Sequence, residues 1–295
     1  MNLFTAKETI LNYAKAGANK TNLSIKKMIL LGIMAGFFIA MGGAVANTAT
    51  HGVTNAGLAK LLSGLLFPFG LAMVILTGSE LFTGNTLISI SVMDEKTTLL
   101  GMLKNWLFVY FGNAIGAIVV AAGCAFLGQL NCSGGDLALY TMKVAAGKCS
   151  LSWFNAVGLG FFCNVLVTVG VLLSLSAKDV TGRVLGAYLP VSFFVICGFE
   201  HSVANMFYVP AGIFASHIEK YALLAAAQNL DISTLSWSSF FINNLIPVTV
   251  GNIIGGIIVG SIFWVCYGQK EQIDLVENGN MEKHKNISAQ LFEMR

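Results

Sequence analysis

Apolar residues dominate six stretches of the chain, at 28–47, 58–93, 99–130, 153–177, 184–214 and 240–267. Each meets the length of about 20 residues that a helix needs to cross a bilayer core. The second and fifth are too long for one plain helix. The second contains Pro68 and the polar insert Thr77-Gly78-Ser79-Glu80, and the fifth carries Cys197-Gly198-Phe199-Glu200-His201-Ser202 near its middle. Both are predicted to be broken helices. The expected fold is an all-α integral membrane protein with six transmembrane helices.

Composition agrees with lipid as the solvent. Hydrophobic residues make up 56% of the 295 positions and charged residues only 11%, against roughly 25% in a soluble domain. The net charge of +3 contains no basic run that would suggest nucleic acid. The first 27 residues hold Lys7, Glu8, Lys15, Lys20, Lys26 and Lys27 and do not read as a cleavable signal. Thr5-Ala6-Lys7-Glu8 fits a capping box, with Ile10, Leu11 and Ala14 on one side of the helix that follows. This predicts an amphipathic helix at the cytoplasmic membrane surface over 1–27, a six-span membrane domain over 28–268 and a charged cytoplasmic tail at 269–295. With both termini inside, thirteen Lys and Arg face the cytoplasm and only Lys60, Lys143, Lys148 and Lys220 face out, a clear positive-inside bias. The six cysteines form no CxxC, so no metal or cofactor is expected. Cys132 and Cys149 share one connection and are either a pair or two free thiols.

The chain also repeats itself. Gly78-Ser79-Glu80-Leu81-Phe82-Thr83-Gly84-Asn85 and Gly198-Phe199-Glu200-His201-Ser202-Val203-Ala204-Asn205 both read GxExxxxN, 120 residues apart. Gly112-Asn113-Ala114-Ile115-Gly116 in the third span matches Gly251-Asn252-Ile253-Ile254-Gly255 in the sixth, and Gly36-Phe37-Phe38 in the first is matched to Gly160-Phe161-Phe162 in the fourth. With three spans per repeat (about 28–130 and 153–268), the second copy enters the membrane from the opposite side, an inverted 3+3 repeat. The two breaks then meet near the midplane. Irregular backbone at that depth requires burial or a cavity, and the half-helix N-termini offer N–H groups suited to an anion.

Residues shared by the two halves are expected to build the breaks: Glu80 and Glu200 bonding freed N–H groups, Asn85 and Asn205 tying down loose backbone, and Asn113 with Asn252 doing the same. The unshared ones carry the chemistry. Leu81 corresponds to His201 and Thr83 to Val203. His201 is the only histidine inside a span, and ionisable groups there point to function. Thr83 supplies a hydroxyl nearby.

At these motifs, and at Ile246-Pro247-Val248-Thr249-Val250-Gly251-Asn252, the sequence resembles the formate/nitrite transporter family over about residues 5–267. The resemblance implies a homopentamer of aquaporin-like protomers, each with its own pore. It implies Leu81 as the cytoplasmic-side constriction, Phe194 as the external-side one, His201 and Thr83 between them, and Lys148 as an attractor of anions in the outer vestibule. The implied permeants are small monovalent weak-acid anions (formate, nitrite or hydrosulfide) and protons. A bare anion between apolar rings meets a heavy desolvation cost that its neutral acid escapes. His201, with an ordinary pKa of about 6.5, is expected to supply a proton or a positive field. The alternative is a channel for water or small neutral solutes. A haem or metal enzyme would need more than one intramembrane histidine.

Overall fold

The structure is a computed structural model and describes residues 2–268, so the expected tail at 269–295 lies outside the described residues. The described chain is mostly helical, with one isolated antiparallel bridge between Leu3 and Ala177. It begins with α1 (Ala6–Thr21), opened by the expected capping box: Glu8 N–H donates to Thr5 Oγ1 at 3.2 Å and Thr5 N–H to Glu8 Oε2 at 2.8 Å. The buried face of α1 is Thr9, Ile10, Tyr13, Ala14, Gly17 and Thr21. Ile10, Tyr13 and Ala14 join Leu87, Ile90, Leu172 and Val259 in one apolar cluster. This face therefore packs on the six-span domain itself, not on lipid.

The first repeat continues with α2 (Ile25–Thr50), α3 (Ala56–Leu66), α4 (Phe69–Thr77), α5 (Phe82–Asn85), α6 (Ile88–Met93) and α7 (Leu99–Phe126). A short turn at Gln129–Gly135 leads to α8 (Asp136–Cys149), then α9 (Trp153–Ser176), α10 (Val180–Cys197), α11 (Ser202–Ser216) and α12 (Glu219–Ala227). The one-turn α13 (Trp237–Ser239) precedes α14 (Ile246–Tyr267). Six of these segments are long and apolar enough to span a membrane: Ile25–Thr50, Ala56–Thr77, Leu99–Phe126, Trp153–Ser176, Val180–Cys197 and Trp237–Tyr267. Cys132 is exposed, Cys149 is buried, and both are free.

Both expected breaks are present and have the same geometry. Gly78 and Gly198 end the first half-helices in the left-handed region, at φ 68° and 73°, where a side chain would be strained. Leu81 and His201 then open α5 and α11 from extended backbone, at φ −108° and −112°. Wider packing is set by glycine. The backbones of α2 and α7 meet so closely that a Cβ on Gly112 would lie 2.6 Å from the Ile29 carbonyl oxygen. A Cβ on Gly116 would collide with that of Ile33. In the other half, Gly251 meets Val157 and Gly255 meets Phe161 in the same way.

These contacts correct the sequence alignment of the first and fourth spans. Ile29 and Ile33 correspond to Val157 and Phe161, so Gly32 is the partner of Gly160, and Gly36 falls opposite Asn164. The match of Gly36-Phe37-Phe38 to Gly160-Phe161-Phe162 is out by four residues. Four residues is close to one helical turn, so the slip keeps every residue on its own face and the pattern alone does not detect it. The offset of 128 residues relating Gly32 to Gly160 also relates α1 to α8, which places Lys20 opposite Lys148. Each repeat thus begins one helix earlier than its first span.

The sixth span opens irregularly. Phe240–Leu245 is wound as a π-helix directly ahead of Pro247. Pro247 has no N–H to give to a preceding turn, and wide turns of this kind gather at functional sites. Outward faces are apolar stripes, such as Leu30, Met34, Phe37, Met41 and Val45 on α2 and Ile246, Val250, Ile254, Ile258 and Ile262 on α14.

Gly116→Ala should reduce thermal stability and folded yield, since overpacking costs about 1–3 kcal/mol. Gly123→Ala, on the same helix with nothing within 4 Å of the added Cβ, should be neutral or gain up to about 1 kcal/mol. Melting curves followed by gel filtration in detergent would compare them, and equal behaviour would contradict the assigned contact.

Candidate functional site: a channel centre between two broken helices

Two cavities approach the breaks from opposite ends. One, of about 370 Å³, is lined by Phe67, Phe194, Glu200, His201, Lys60 and Lys148 among others. The other, of about 130 Å³, is lined by Leu71, Leu81, Lys20 and Val171 among others. Leu81 and Phe194 are buried, 3% and 4% exposed, and face different cavities. His201 and Thr83 are buried as well, and Thr83 Oγ1 lies 2.9 Å from His201 Nε2. The ring of Phe194 stacks on the imidazole at 5.8 Å, and Phe67 meets Phe194 edge-on at 5.8 Å.

The histidine's bonds fix its resting form. Ala204 N–H donates to His201 Nδ1 at 3.0 Å, an N-terminal cap on α11. Nδ1 is therefore an acceptor without hydrogen, and the neutral ring carries its proton on Nε2, from where it donates to Thr83. A charged imidazolium would set N–H against N–H at the cap. Protonation of Nδ1 therefore requires the ring to give up its cap on Ala204. The equivalent Leu81 has no side-chain cap. Thr83, having accepted from the ring, keeps its own hydroxyl hydrogen to offer.

The freed backbone groups are met mainly by two asparagines. Asn113 Oδ1 accepts from Phe82 N–H at 2.9 Å, and Asn113 Nδ2 donates to the carbonyls of Gly32 at 2.8 Å and Glu80 at 2.9 Å. Asn252 repeats this on Ser202 N–H at 2.9 Å, Gly160 at 2.7 Å and Glu200 at 3.0 Å. The N–H groups of Phe82, Ser202 and Ala204 thus already hold protein acceptors, which narrows the expectation that the half-helix N-termini stand open to an anion. It also moves the role expected of the glutamates onto the asparagines.

Glu80 and Glu200 serve a different end. Glu80 accepts from Lys20 Nζ at 2.7 Å and from Asn85 Nδ2 at 2.7 Å. Glu200 accepts from Lys148 Nζ at 2.9 Å, Asn205 Nδ2 at 2.7 Å and Asn244 Nδ2 at 3.2 Å. Asn85 also donates to Asn105 at 2.8 Å and Asn205 to Asn244 at 2.7 Å. Asn105 and Asn244 in turn donate to the carbonyls of Lys20 and Lys148, each at 3.1 Å. Each half closes a Lys–Glu–Asn–Asn ring. Asn85 and Asn205 bind side chains here, not loose backbone. The sequence reading missed Lys20, Asn105, Asn244 and Asn164. Asn105 and Asn244 are recoverable from it, since they stand 139 residues apart, the spacing of Asn113 and Asn252.

Asn164 has no twin. Its Nδ2 donates to the carbonyls of Asn252 at 2.6 Å and Thr83 at 3.2 Å and to Thr86 Oγ1 at 3.0 Å. It ties the second break to the residue that meets His201. The matching Gly36 has no space for a side chain, since a Cβ there would collide with the Asn113 carbonyl.

Such a molecule is a multi-pass membrane channel built as an inverted repeat, a transporter and not an enzyme. Residues 7–266 match the formate/nitrite transporter family, and the chain belongs to that family. It is 37% identical over 260 residues to the formate channel FocA of Escherichia coli, covering 86% of this chain and 90% of that one. It is 36% identical over 272 residues to a probable formate transporter of Methanothermobacter thermautotrophicus, covering 84% and 91%. Among solved structures it resembles a pentameric formate channel with formate bound, at a TM-score of 0.71 and 36% identity, covering 82% of this chain and 97% of that chain.

The Lys148–Glu200 pair yields a test. Lys148→Met strands a buried carboxylate and should cost about 3–5 kcal/mol, since removing one partner of a buried pair leaves the other charge unmet. Adding Glu200→Gln should recover most of that loss. Unfolding in detergent would measure both variants, and an unchanged melting point for Lys148→Met would show that the pair holds nothing together.

Proposed function

We propose that the chain conducts small monovalent weak-acid anions, of the formate, nitrite or hydrosulfide class, across the cell membrane. Formate is favoured because the named relatives are formate channels and transporters. The observation that carries this reading is the Thr83–His201 hydrogen bond, a lone polar pair buried between Leu81 and Phe194. The two apolar residues act as constrictions that strip water from the permeant. Thr83 offers its hydroxyl hydrogen to the stripped ion. His201 accepts a second proton only by giving up its cap on Ala204, and that exchange couples passage to proton supply. Low pH then favours permeation as the neutral acid. The Lys–Glu–Asn rings and Asn113 with Asn252 keep the broken helices in shape around the pair. Lys148 belongs to the wall of the larger vestibule.

In this reading the termini are cytoplasmic and the larger vestibule opens outside, following the thirteen-to-four distribution of Lys and Arg. The assembly is a homopentamer with an independent pore in each protomer. Support comes from the pentameric formate channel it resembles and from an apolar lateral groove between Trp106, Leu107, Tyr110, Phe241, Leu245 and Val250. Native mass measurement in mild detergent should return five copies; a monomer, trimer or tetramer would overturn the assembly.

The central test uses formate flux in liposomes between pH 5 and 8. His201→Asn preserves the cap, because asparagine is among the best N-cap residues, and should give a folded oligomer whose flux loses its pH dependence. His201→Phe, with neither cap nor hydrogen bond to offset desolvation, should nearly abolish flux. Wild-type rate and pH profile in an intact Asn variant would refute the role of His201.

A further inference from the structure

The two vestibules differ in charge. The smaller is lined by one charged residue, Lys20, and Glu80 meets that ammonium at 2.7 Å. The larger is lined by three cations, Lys60, Lys143 and Lys148, and one carboxylate, Glu200. Glu200 is taken by Lys148 at 2.9 Å, and the Lys148 ammonium also sits over the Tyr208 ring at 5.3 Å. Its charge is spent on the fold. Lys60, on α3, forms no ion pair or hydrogen bond among the described residues.

Its position is well defined. A Cβ built on Gly198 would lie 3.1 Å from Lys60 Nζ. The ammonium therefore hangs over the left-handed turn that breaks the fifth span, three residues before His201. At the equivalent place in the other half, 120 residues further on, stands Val180. The smaller vestibule has no matching cation.

We propose that Lys60 is the uncompensated cation that gathers small anions at the floor of the larger vestibule and hands them toward His201, with Lys148 acting as the structural partner of Glu200. The inference rests on the anion-channel reading above. Lys143 reinforces the field from farther out, as an exposed residue of α8. One charge acting through several ångströms of water alters a local anion concentration about two- to threefold. Salt removes the effect, since the Debye length falls from about 30 Å at 0.01 M to about 3 Å at 1 M.

The test is formate influx into liposomes at 10 mM and 1 M ionic strength, with oligomer integrity checked by gel filtration. Lys60→Gln should slow influx about two- to threefold at low salt and match wild type at high salt. Lys60→Glu should be slower still at low salt, and Lys60→Arg should keep the wild-type rate. A Lys60→Gln rate equal to wild type at 10 mM, or equally reduced at both salts, would overturn the proposal while wild-type flux upholds the channel reading. A Lys60→Arg variant as slow as Lys60→Gln would also overturn it. Wild-type liposomes impermeable to formate would overturn both readings together.

Discussion

The structure depends on one constraint: a helix broken inside a membrane frees backbone N–H and C=O groups where no lipid atom can bond them. Each stranded group costs about 1–3 kcal/mol when left unmet. Asn113 and Asn252 answer this with a side chain that is acceptor and double donor at once. Each amide spans its break, holding the first N–H of the new half-helix and two carbonyls from the surrounding turn. A carboxylate would repel those carbonyls, and a hydroxyl has too few hydrogens. The type of residue follows from the count of donors and acceptors.

Once the breaks are sealed this way, the remaining polar groups are free for other work. The Lys–Glu–Asn–Asn rings lock α1 and α8 onto the first and second breaks, and α1 becomes part of the channel. Tyr13 makes the same point, its hydroxyl donating to the carbonyl of Gly84 at 3.2 Å. The scaffold is thus nearly two-fold symmetric, while the contents of the path are not. Leu81 opposes His201, Thr83 opposes Val203, and Gly36 opposes Asn164. Symmetry supplies two half-helices that meet; asymmetry supplies one hydrogen-bonding pair where they do.

The breaks were legible in the sequence because each is a contiguous polar motif inside an apolar run, and the motif occurs twice. Leu81, Thr83 and His201 stood out for the same reason, as differences between two otherwise similar strings. The lysine partners of the glutamates were not legible. Lys20 reads as one more surface lysine of an amphipathic helix, and only the fold brings it 60 residues along the chain to Glu80. Lys148 looks like a free loop lysine until α8 is seen to deliver it to Glu200. The first and fourth spans slipped by one turn because glycine and phenylalanine recur at helical spacing. Only contacts to α7 and α14 fix that register.

On the proposed reading, the same economy accounts for the size and charge of what passes. Between Leu81 and Phe194 the side chains offer little beyond Thr83 and His201, and the backbone N–H groups of Phe82, Ser202 and Ala204 are already bonded. One hydroxyl hydrogen offsets part of the desolvation of a singly charged ion and suffices for a neutral acid. It cannot offset a second charge, whose transfer cost rises steeply in a medium of low polarity. A pore with open half-helix N-termini would bind an anion more tightly and release it more slowly. Asn113, Asn252 and His201 each take one N–H of those termini, which makes the centre shallower as a binding site, and a shallow site suits passage.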